Sequence, residues 1–174
     1  MIVLNKYLSK FIDLVGLLCS ICLLLMIGMV FYNVVARYVF NSVDIGLQEL
    51  EWHFFSAMFL FGIGYTLKED AHVRVDVIYD HFGSVYKAWV NILGNLLFVI
   101  PFSCLVAYYG YSYALDAYQI GEGSGDPGGL PHRWIVRSFI SASSLFVILC
   151  STQVIARNIG LLRRGAMVSE ESDT

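Results

Sequence analysis

Charged residues are distributed unevenly along this 174-residue chain. Four stretches contain no Asp, Glu, Lys or Arg: residues 14–36, 52–67, 88–115 and 138–156, which are 23, 16, 28 and 19 residues long. A helix rises 1.5 Å per residue, and about 20 apolar residues cross the hydrocarbon core of a bilayer. The pattern therefore predicts an all-α membrane protein with four transmembrane helices, at about 12–36, 50–68, 86–115 and 135–157, in a single domain 1–167.

The segments that flank these stretches add detail to this plan. Before the second and shortest stretch, Leu47, Leu50 and Phe54 share one helical face and polar residues occupy the other, which predicts an interfacial amphipathic helix ahead of the second span. No small-residue cleavage site follows a short apolar core near the N-terminus, so we expect the first span to be a retained anchor. The polar, acidic C-terminal segment, residues 168–174, is expected to lack regular structure.

Composition supports a bilayer as the solvent, because 57% of the residues are hydrophobic and only 14% are charged. That leaves too little polar surface to cover a soluble globule of this size. Of the 11 Lys and Arg residues, eight flank the spans on the side of the two termini and three lie in the first and third loops. The excess of cations predicts that both termini are cytoplasmic, in a multi-pass protein of the bacterial inner membrane.

Tryptophan is the residue type most typical of membrane boundaries, because its ring can be buried while its N–H stays in contact with water. Trp52, Trp89 and Trp134 all fall near predicted span ends. We interpret them as interfacial anchors that contact membrane lipids.

Chemical motifs are scarce in this sequence. The four cysteines lie inside predicted spans, where small apolar packing is their simplest role. A b-type cytochrome is an alternative for a four-helix protein, but it needs paired histidines deep in the spans, whereas all four histidines lie in loops or near span ends. No nucleophile motif or phosphate-binding loop is present. We predict no enzyme activity, no cofactor, no metal, no substrate site in this chain and no nucleic-acid partner.

Amide side chains inside the spans favour contacts between helices. Asn91 and Asn95 are one turn apart on the third span, and Gln153 lies at a similar depth on the fourth. Such amides bond across helices in membranes, and the alternative is that each bonds the backbone of its own helix. We expect these three residues to stabilise the bundle or its association with a partner.

Several short motifs occur in an order that resembles a known family. They are "VVARYVFN" at the end of the first span, "LQELEW" at the entry to the second, "HVRVD" in the second loop and "GLPHRW" after the third span. In this order they resemble the small membrane subunit, of DctQ type, of tripartite ATP-independent periplasmic (TRAP) transporters. The resemblance covers nearly the whole chain, although the family often has a proline early in the fourth span, where this chain reads "SFISAS".

The resemblance implies an uptake system of three parts. A periplasmic binding protein captures an organic acid, such as sialic acid, another sugar acid or a C4-dicarboxylate, and a large membrane subunit carries it with sodium. The small subunit packs against the large one and needs no active site. An unrelated four-helix accessory subunit and a self-assembled pore are the alternatives. The candidate partner-interface residues are Arg37, Glu49, Glu51, His72, Arg74, Asp76, Asn91, Asn95 and Gln153.

The third loop has a composition of its own. Residues 119–134, "QIGEGSGDPGGLPHRW", contain five glycines and two of the three prolines, which predicts a structured turn or a flexible connector. Its charges could meet the periplasmic binding protein, or they could simply be solvated. The candidate docking residues are Asp116, Glu122, Asp126, His132 and Arg133.

Overall fold

The computed structural model describes residues 2–70 and 83–172, with side chains from 5–70 and 83–163. His72, Arg74 and Asp76 lie outside the described residues. Four helices make up the fold: α1 (Ile2–Val39), α2 (Ile45–Lys68), α3 (Ser84–Gln119) and α4 (Trp134–Ser172). A π turn, Asn95–Val99, divides α3 into two α-helical parts, Ser84–Gly94 and Ile100–Gln119.

Three of the helices in the described part of the chain are long and apolar enough to cross a membrane: Asn5–Val39, Ser84–Gln119 and Trp134–Arg163. These three helices confirm an integral membrane protein. Helix α2 is not among them, and its stretch without charged residues, 52–67, is only 16 residues long. A fourth span through α2 and the cytoplasmic position of both termini stay predictions.

Helix boundaries differ from those predicted. The interfacial segment before the second span is not a separate helix but the first part of α2, which begins after Asp44, whose side chain accepts a hydrogen bond from the Leu47 N–H at 3.0 Å. Helix α1 begins ten residues before the predicted span, and α4 continues to Ser172, into the segment expected to lack regular structure. Hydropathy marks where a helix can enter lipid, whereas backbone hydrogen bonding continues beyond that point.

Helix α4 lies at the centre of the bundle, where it packs against both α2 and α3, while α1 packs mainly on α2. Phe146 and Cys150 of α4 form a buried core with Ile12 of α1. Glycine allows α2 and α4 to approach closely, since a Cβ atom on Gly64 would lie 2.6 Å from the Phe146 ring. Small residues at such crossings are typical of membrane helices.

Both described ends of the chain lie at the same end of the bundle. Lys68, at the end of α2, forms an ion pair with Asp13 near the start of α1. The Arg157 side chain, in the later turns of α4, donates to the Lys68 carbonyl oxygen at 3.4 Å. We call this the terminal end, and the opposite end, which carries residues 120–133, the loop end.

The surface between these two ends is strongly apolar. Phe31, Phe98 and Tyr108 are each at least 70% exposed, and many other large apolar side chains are exposed with them. A soluble monomer does not expose apolar surface on this scale, whereas hydrocarbon covers it at no cost.

Candidate functional site

The connection between α3 and α4 is folded by its own backbone hydrogen bonds. After the last turn of α3, Gly121 adopts a φ of +62°, and the Glu122 N–H returns to the Ala117 carbonyl at 2.9 Å, which is a glycine-terminated helix end. Farther along, the Ser124 N–H donates to the Leu130 carbonyl and the Arg133 N–H to the Glu122 carbonyl, both at 3.0 Å. Residues 120–133, here called the outer loop, therefore form a structured turn.

A tight turn lies at the tip of the outer loop. The Gly129 N–H donates to the Asp126 carbonyl at 3.0 Å, and Gly128 has a φ of +86° directly after Pro127, as a type II turn requires. The next residue, Gly129, has no room for a side chain, since a Cβ atom there would lie 2.9 Å from Oε2 of Glu49. The turn can thus lie close against the first part of α2.

Glu49 is the residue that binds the outer loop to α2. Its Oε2 accepts the Leu130 N–H at 2.6 Å, and its Oε1 accepts the Ser124 hydroxyl. Arg133 adds a looser ion pair, with 4.0 Å between Nη2 and Oε1. The Glu49 side chain is only 17% exposed as a result. The Ser124 hydroxyl and the Leu130 N–H, with smaller help from the Arg133 charge, hold the pKa of Glu49 below its ordinary value.

A second ion pair stabilises the base of the outer loop. Arg137, one turn into α4, donates to Glu122 at 2.5 Å, and its guanidinium lies 4.0 Å from the centre of the Tyr113 ring of α3. This contact joins α3, the loop and α4. Sequence reasoning counted Arg137 only as a loop cation and gave Ser124 no role. Neither residue is close in sequence to its acidic partner, since 75 residues separate Ser124 from Glu49 and 15 separate Arg137 from Glu122, so the sequence carried no signal for either contact.

Glu51 has a different partner from Glu49. Its Oε1 accepts the side-chain amide of Asn33, which ties the loop end of α1 to α2. Two residues along a helix turn the side chain by about 200°, so the spacing of the two glutamates predicts that they point apart, as observed. Asn33 was not predicted as a site residue. Arg37, one turn later on α1, is exposed.

The five candidate docking residues divide into two groups. Glu122 and Arg133 are engaged in the internal contacts of the loop. Asp116, Asp126 and His132 are exposed at the loop end, where His132 has a φ of +63°. Contact of any of them with a periplasmic protein stays a prediction.

Of the three amide residues within the spans, Asn91 and Asn95 lie together and Gln153 lies apart from them. The Asn95 side chain is 6% exposed, and its Nδ2 donates to the Asn91 carbonyl of its own helix at 2.8 Å. Its Oδ1 is buried and has no hydrogen-bond partner among the described residues. Asn91 and Asn95 line a groove of about 840 Å³ between α2, α3 and α4, whose walls are otherwise almost entirely apolar.

Gln153 does not line this groove, and of the two alternatives left open by the sequence Asn95 makes the bond to its own helix. Gln153 lines another cavity, between α1, α2 and α4 at the terminal end. The reason is the rotation of α4: Val147 faces the groove, and six residues later the helix has turned by about 240°.

The three tryptophans lie in the outer turns of their helices. Trp52 is 75% exposed and Trp89 is 52% exposed, while the Trp134 ring packs edge-on against Tyr118 at a centroid distance of 5.5 Å. Their role as lipid anchors stays a prediction. In the stretches for which side chains are described, no cluster of three His, Cys, Asp or Glu residues is arranged to hold a metal.

These features define a class: an integral membrane helical bundle with an apolar surface, whose ionic contacts lie near its two ends. Residues 26–161 match the family model described as "Tripartite ATP-independent periplasmic transporters, DctQ component". The chain belongs to this family, and it is a small permease subunit of a TRAP transporter. A transporter membrane subunit is a different class of protein from an enzyme.

Two relatives from Haemophilus influenzae support the assignment, and both bear the name "Putative TRAP transporter small permease protein". The first is 35% identical over 95 residues, which are 55% of this chain and 56% of the relative. The second is 26% identical over 144 residues, which are 83% of this chain and 88% of the relative.

Proposed function

We propose that this subunit is the static, non-translocating part of a sodium-coupled transporter in the bacterial inner membrane, where it packs against the large transport subunit and stabilises it. The carried solute is an organic acid of the sialic acid, sugar acid or C4-dicarboxylate kind, and sodium binds in the large subunit. Membership of the DctQ family supports the subunit role.

One observation carries the static role. The charged side chains with described ion-pair partners, including Glu49, Glu122 and Arg137, lie near the ends of the bundle and bind within this chain. A solute or ion path shows instead as ionisable groups in the middle of the spans. An apolar bundle with braced ends is suited to support a neighbouring domain that moves.

The groove between α2, α3 and α4 is the surface we assign to the large subunit. The apolar walls of the groove can pack against helices or lipid chains. Among the described residues, however, the buried Oδ1 of Asn95 has no hydrogen-bond donor. A buried acceptor without a partner is costly, so a donor from a neighbouring subunit would be favoured there.

Asn95→Leu tests this assignment, because it separates assembly from folding. The substitution removes the buried acceptor that lacks a donor, so the isolated subunit is expected to keep or slightly raise its melting temperature in mild detergent. Association should weaken by about 0.6–2 kcal/mol, measured as a lower yield of large subunit in co-purification.

Asn158→Leu is the matched control, since Asn158 is a buried asparagine of α4 that also bonds its own helix, to the Val154 carbonyl at 2.8 Å, but does not line the groove. Co-purification should survive in this variant. Equal loss in both variants, or no loss in Asn95→Leu, would assign the large subunit to another face.

Docking of the periplasmic binding protein is assigned to the exposed groups at the loop end: Asp116, Asp126 and His132. Because Glu49 keeps the outer loop folded, these groups have fixed positions, which lowers the entropy cost of a transient contact. A photoreactive residue at position 126 should capture the binding protein during uptake, and capture should fall with added salt. A probe at exposed Leu24, in the middle of α1 and outside the groove, is the control. A lack of capture from position 126, or equal capture from both positions, would contradict the docking role.

The whole proposal depends on transport requiring this chain. Cells or vesicles that contain the binding protein and the large subunit alone should take up solute much more slowly than those with all three components. Uptake at the normal rate would refute the stabilising role.

A further inference from the structure

A cavity of about 510 Å³ opens at the terminal end of the bundle, between the first turns of α1, the end of α2 and the later turns of α4. Its volume lies within the range of small-ligand sites. Seven of the eight side chains that line it end in polar or cationic groups, although apolar atoms form most of the exposed wall: Asn5, Lys6, Ser9, Lys10, Lys68, Gln153, Val154 and Arg157.

The charge of this cavity is unbalanced. Lys68 is compensated, since it pairs with Asp13 and, at 3.3 Å, with Glu69. Lys6, Lys10 and Arg157 form no ion pair with a carboxylate in the part of the chain that the structure describes. Three cations therefore face the cavity or its rim without a neutralising partner among the described side chains, which favours an anion there.

The rim has a fixed geometry. The Lys68 ion pair with Asp13 joins α2 to α1, and the Arg157 bond to the Lys68 carbonyl joins α4 to α2. The three unpaired cations thus lie on α1 and α4, and α2 ties these two helices to one another at the same level. A lysine on helices that are held together loses less conformational entropy when it binds a ligand than a lysine on a flexible terminus.

A second, independent observation comes from Gln153. This residue lines the cavity, is 8% exposed, and its Oε1 is buried without a hydrogen-bond partner among the described residues. Lys and Arg can bind an anion, but a buried amide oxygen needs a hydrogen-bond donor. The cavity therefore combines groups for a negative charge with an acceptor for an N–H or O–H.

We propose that this cavity binds the headgroup of an anionic glycerophospholipid, with Lys6, Lys10 and Arg157 around the phosphate and Gln153 accepting a headgroup hydroxyl. A phosphodiester with a glycerol alcohol, as in phosphatidylglycerol, supplies both the charge and the donor. Basic cavities between membrane helices near the membrane boundary are suited to such headgroups. The acyl chains lie on the exposed apolar surface next to the cavity.

Lipid binding is tested on the full-length chain in mild detergent by native mass spectrometry, with phosphatidylglycerol and phosphatidylcholine added in separate titrations. Phosphatidylglycerol should bind at least several-fold more tightly, because phosphatidylcholine has no net charge and no headgroup donor. Lys10→Gln and Arg157→Gln should each weaken phosphatidylglycerol binding about fivefold. Lys10→Arg should restore it.

Arg163→Gln is the matched control, since it removes the same charge from an exposed position on α4 outside the cavity lining. It should leave lipid binding almost unchanged. If Arg163→Gln weakens binding as much as Arg157→Gln, the attraction is a general surface effect and the site is refuted.

Gln153→Leu tests the hydroxyl contact. Phosphatidylethanol carries the same singly charged phosphodiester without an alcohol, so the native chain should prefer phosphatidylglycerol, and Gln153→Leu should reduce that preference about fivefold. An unchanged preference would remove Gln153 from the site.

Inorganic phosphate distinguishes the two sources of the anion. At concentrations that match the lipid, it should not displace phosphatidylglycerol, because it lacks acyl chains to bury. Displacement by inorganic phosphate, or equal binding of phosphatidylglycerol and phosphatidylcholine, would overturn the proposal.

Discussion

At the scale of single residues, polar side chains of this protein hold separate segments of the chain together. Glu49 binds the outer loop, Glu51 binds α1 through Asn33, and Glu122 binds Arg137. In an apolar chain each such contact specifies one arrangement, since a buried polar group without its partner is costly. Substitutions at these positions should loosen a defined piece of structure rather than remove chemistry.

Glu49→Gln should release the outer loop while the bundle stays folded. A carboxylate offers two acceptor oxygens, one to the Ser124 hydroxyl and one to the Leu130 N–H, whereas an amide offers one. We expect amide hydrogen exchange at Ser124 and Leu130 to become roughly tenfold faster. Asp116→Asn removes the same charge from an exposed position at the same end and should leave exchange unchanged.

The lowered pKa of Glu49, which precedes the predicted second span, makes the outer loop sensitive to acid. Since folding favours the ionised carboxylate, the stabilisation is fully present above the ordinary value of 4.5 and is lost as pH falls below it, through the lowered pKa. Loop exchange, corrected for the intrinsic effect of pH, should thus be constant between about pH 5 and 7 and accelerate only in stronger acid. Glu49→Gln should abolish this dependence.

At the scale of helices, close packing depends on glycines that face a neighbour. Gly64 and Gly62 both lie on α2, but only Gly64 faces α4, where its Cβ would also lie 3.1 Å from the sulfur of Cys150. A Cβ on Gly62 would meet nothing within 4 Å. The two positions are alike in sequence and opposite in packing.

Gly64→Ala should therefore destabilise the protein by about 1–3 kcal/mol, because Phe146 is buried in the core and cannot yield freely. Gly62→Ala should instead stabilise α2 by about 0.5–1 kcal/mol, as alanine favours helix over glycine. Denaturant unfolding in detergent measures both. Similar stabilities for the two variants would mean that α2 and α4 are less closely packed than described.

At the scale of the whole molecule, the described fold places the start of α1 and the later turns of α4 at the terminal end, and the outer loop at the loop end. With lipid around the apolar middle, we expect these two ends to lie in different aqueous compartments. The excess of Lys and Arg predicts that the terminal end is cytoplasmic.

Labelling with a membrane-impermeant maleimide tests this orientation in intact cells. Gly125→Cys in the outer loop should react from outside, whereas Arg163→Cys near the end of α4 should react only after the cells are opened. The parent chain, with its four native cysteines, provides the background. Reaction of Arg163→Cys in intact cells would contradict the proposed topology.

The predictable part of this protein is the part that depends on local composition. Three apolar helices, their integral membrane character and the DctQ family follow from hydropathy and short motifs. The opposite directions of Glu49 and Glu51 also follow, from their spacing alone. The ends of the helices did not follow from the sequence. Helices α1 and α4 continue into segments that hydropathy alone does not distinguish from an exposed loop.

The sequence by itself determined that this chain enters a membrane, because transfer of apolar side chains into lipid depends on composition more than on neighbours. It also determined the family, through the order of short motifs along the chain. Only the tertiary structure decided which polar residues meet. Helix rotation separates Asn95 from Gln153, and the folding of a glycine-rich loop brings Ser124 and Leu130 to Glu49. Such contacts are short-ranged and directional, so they depend on packing between segments that lie far apart in the chain.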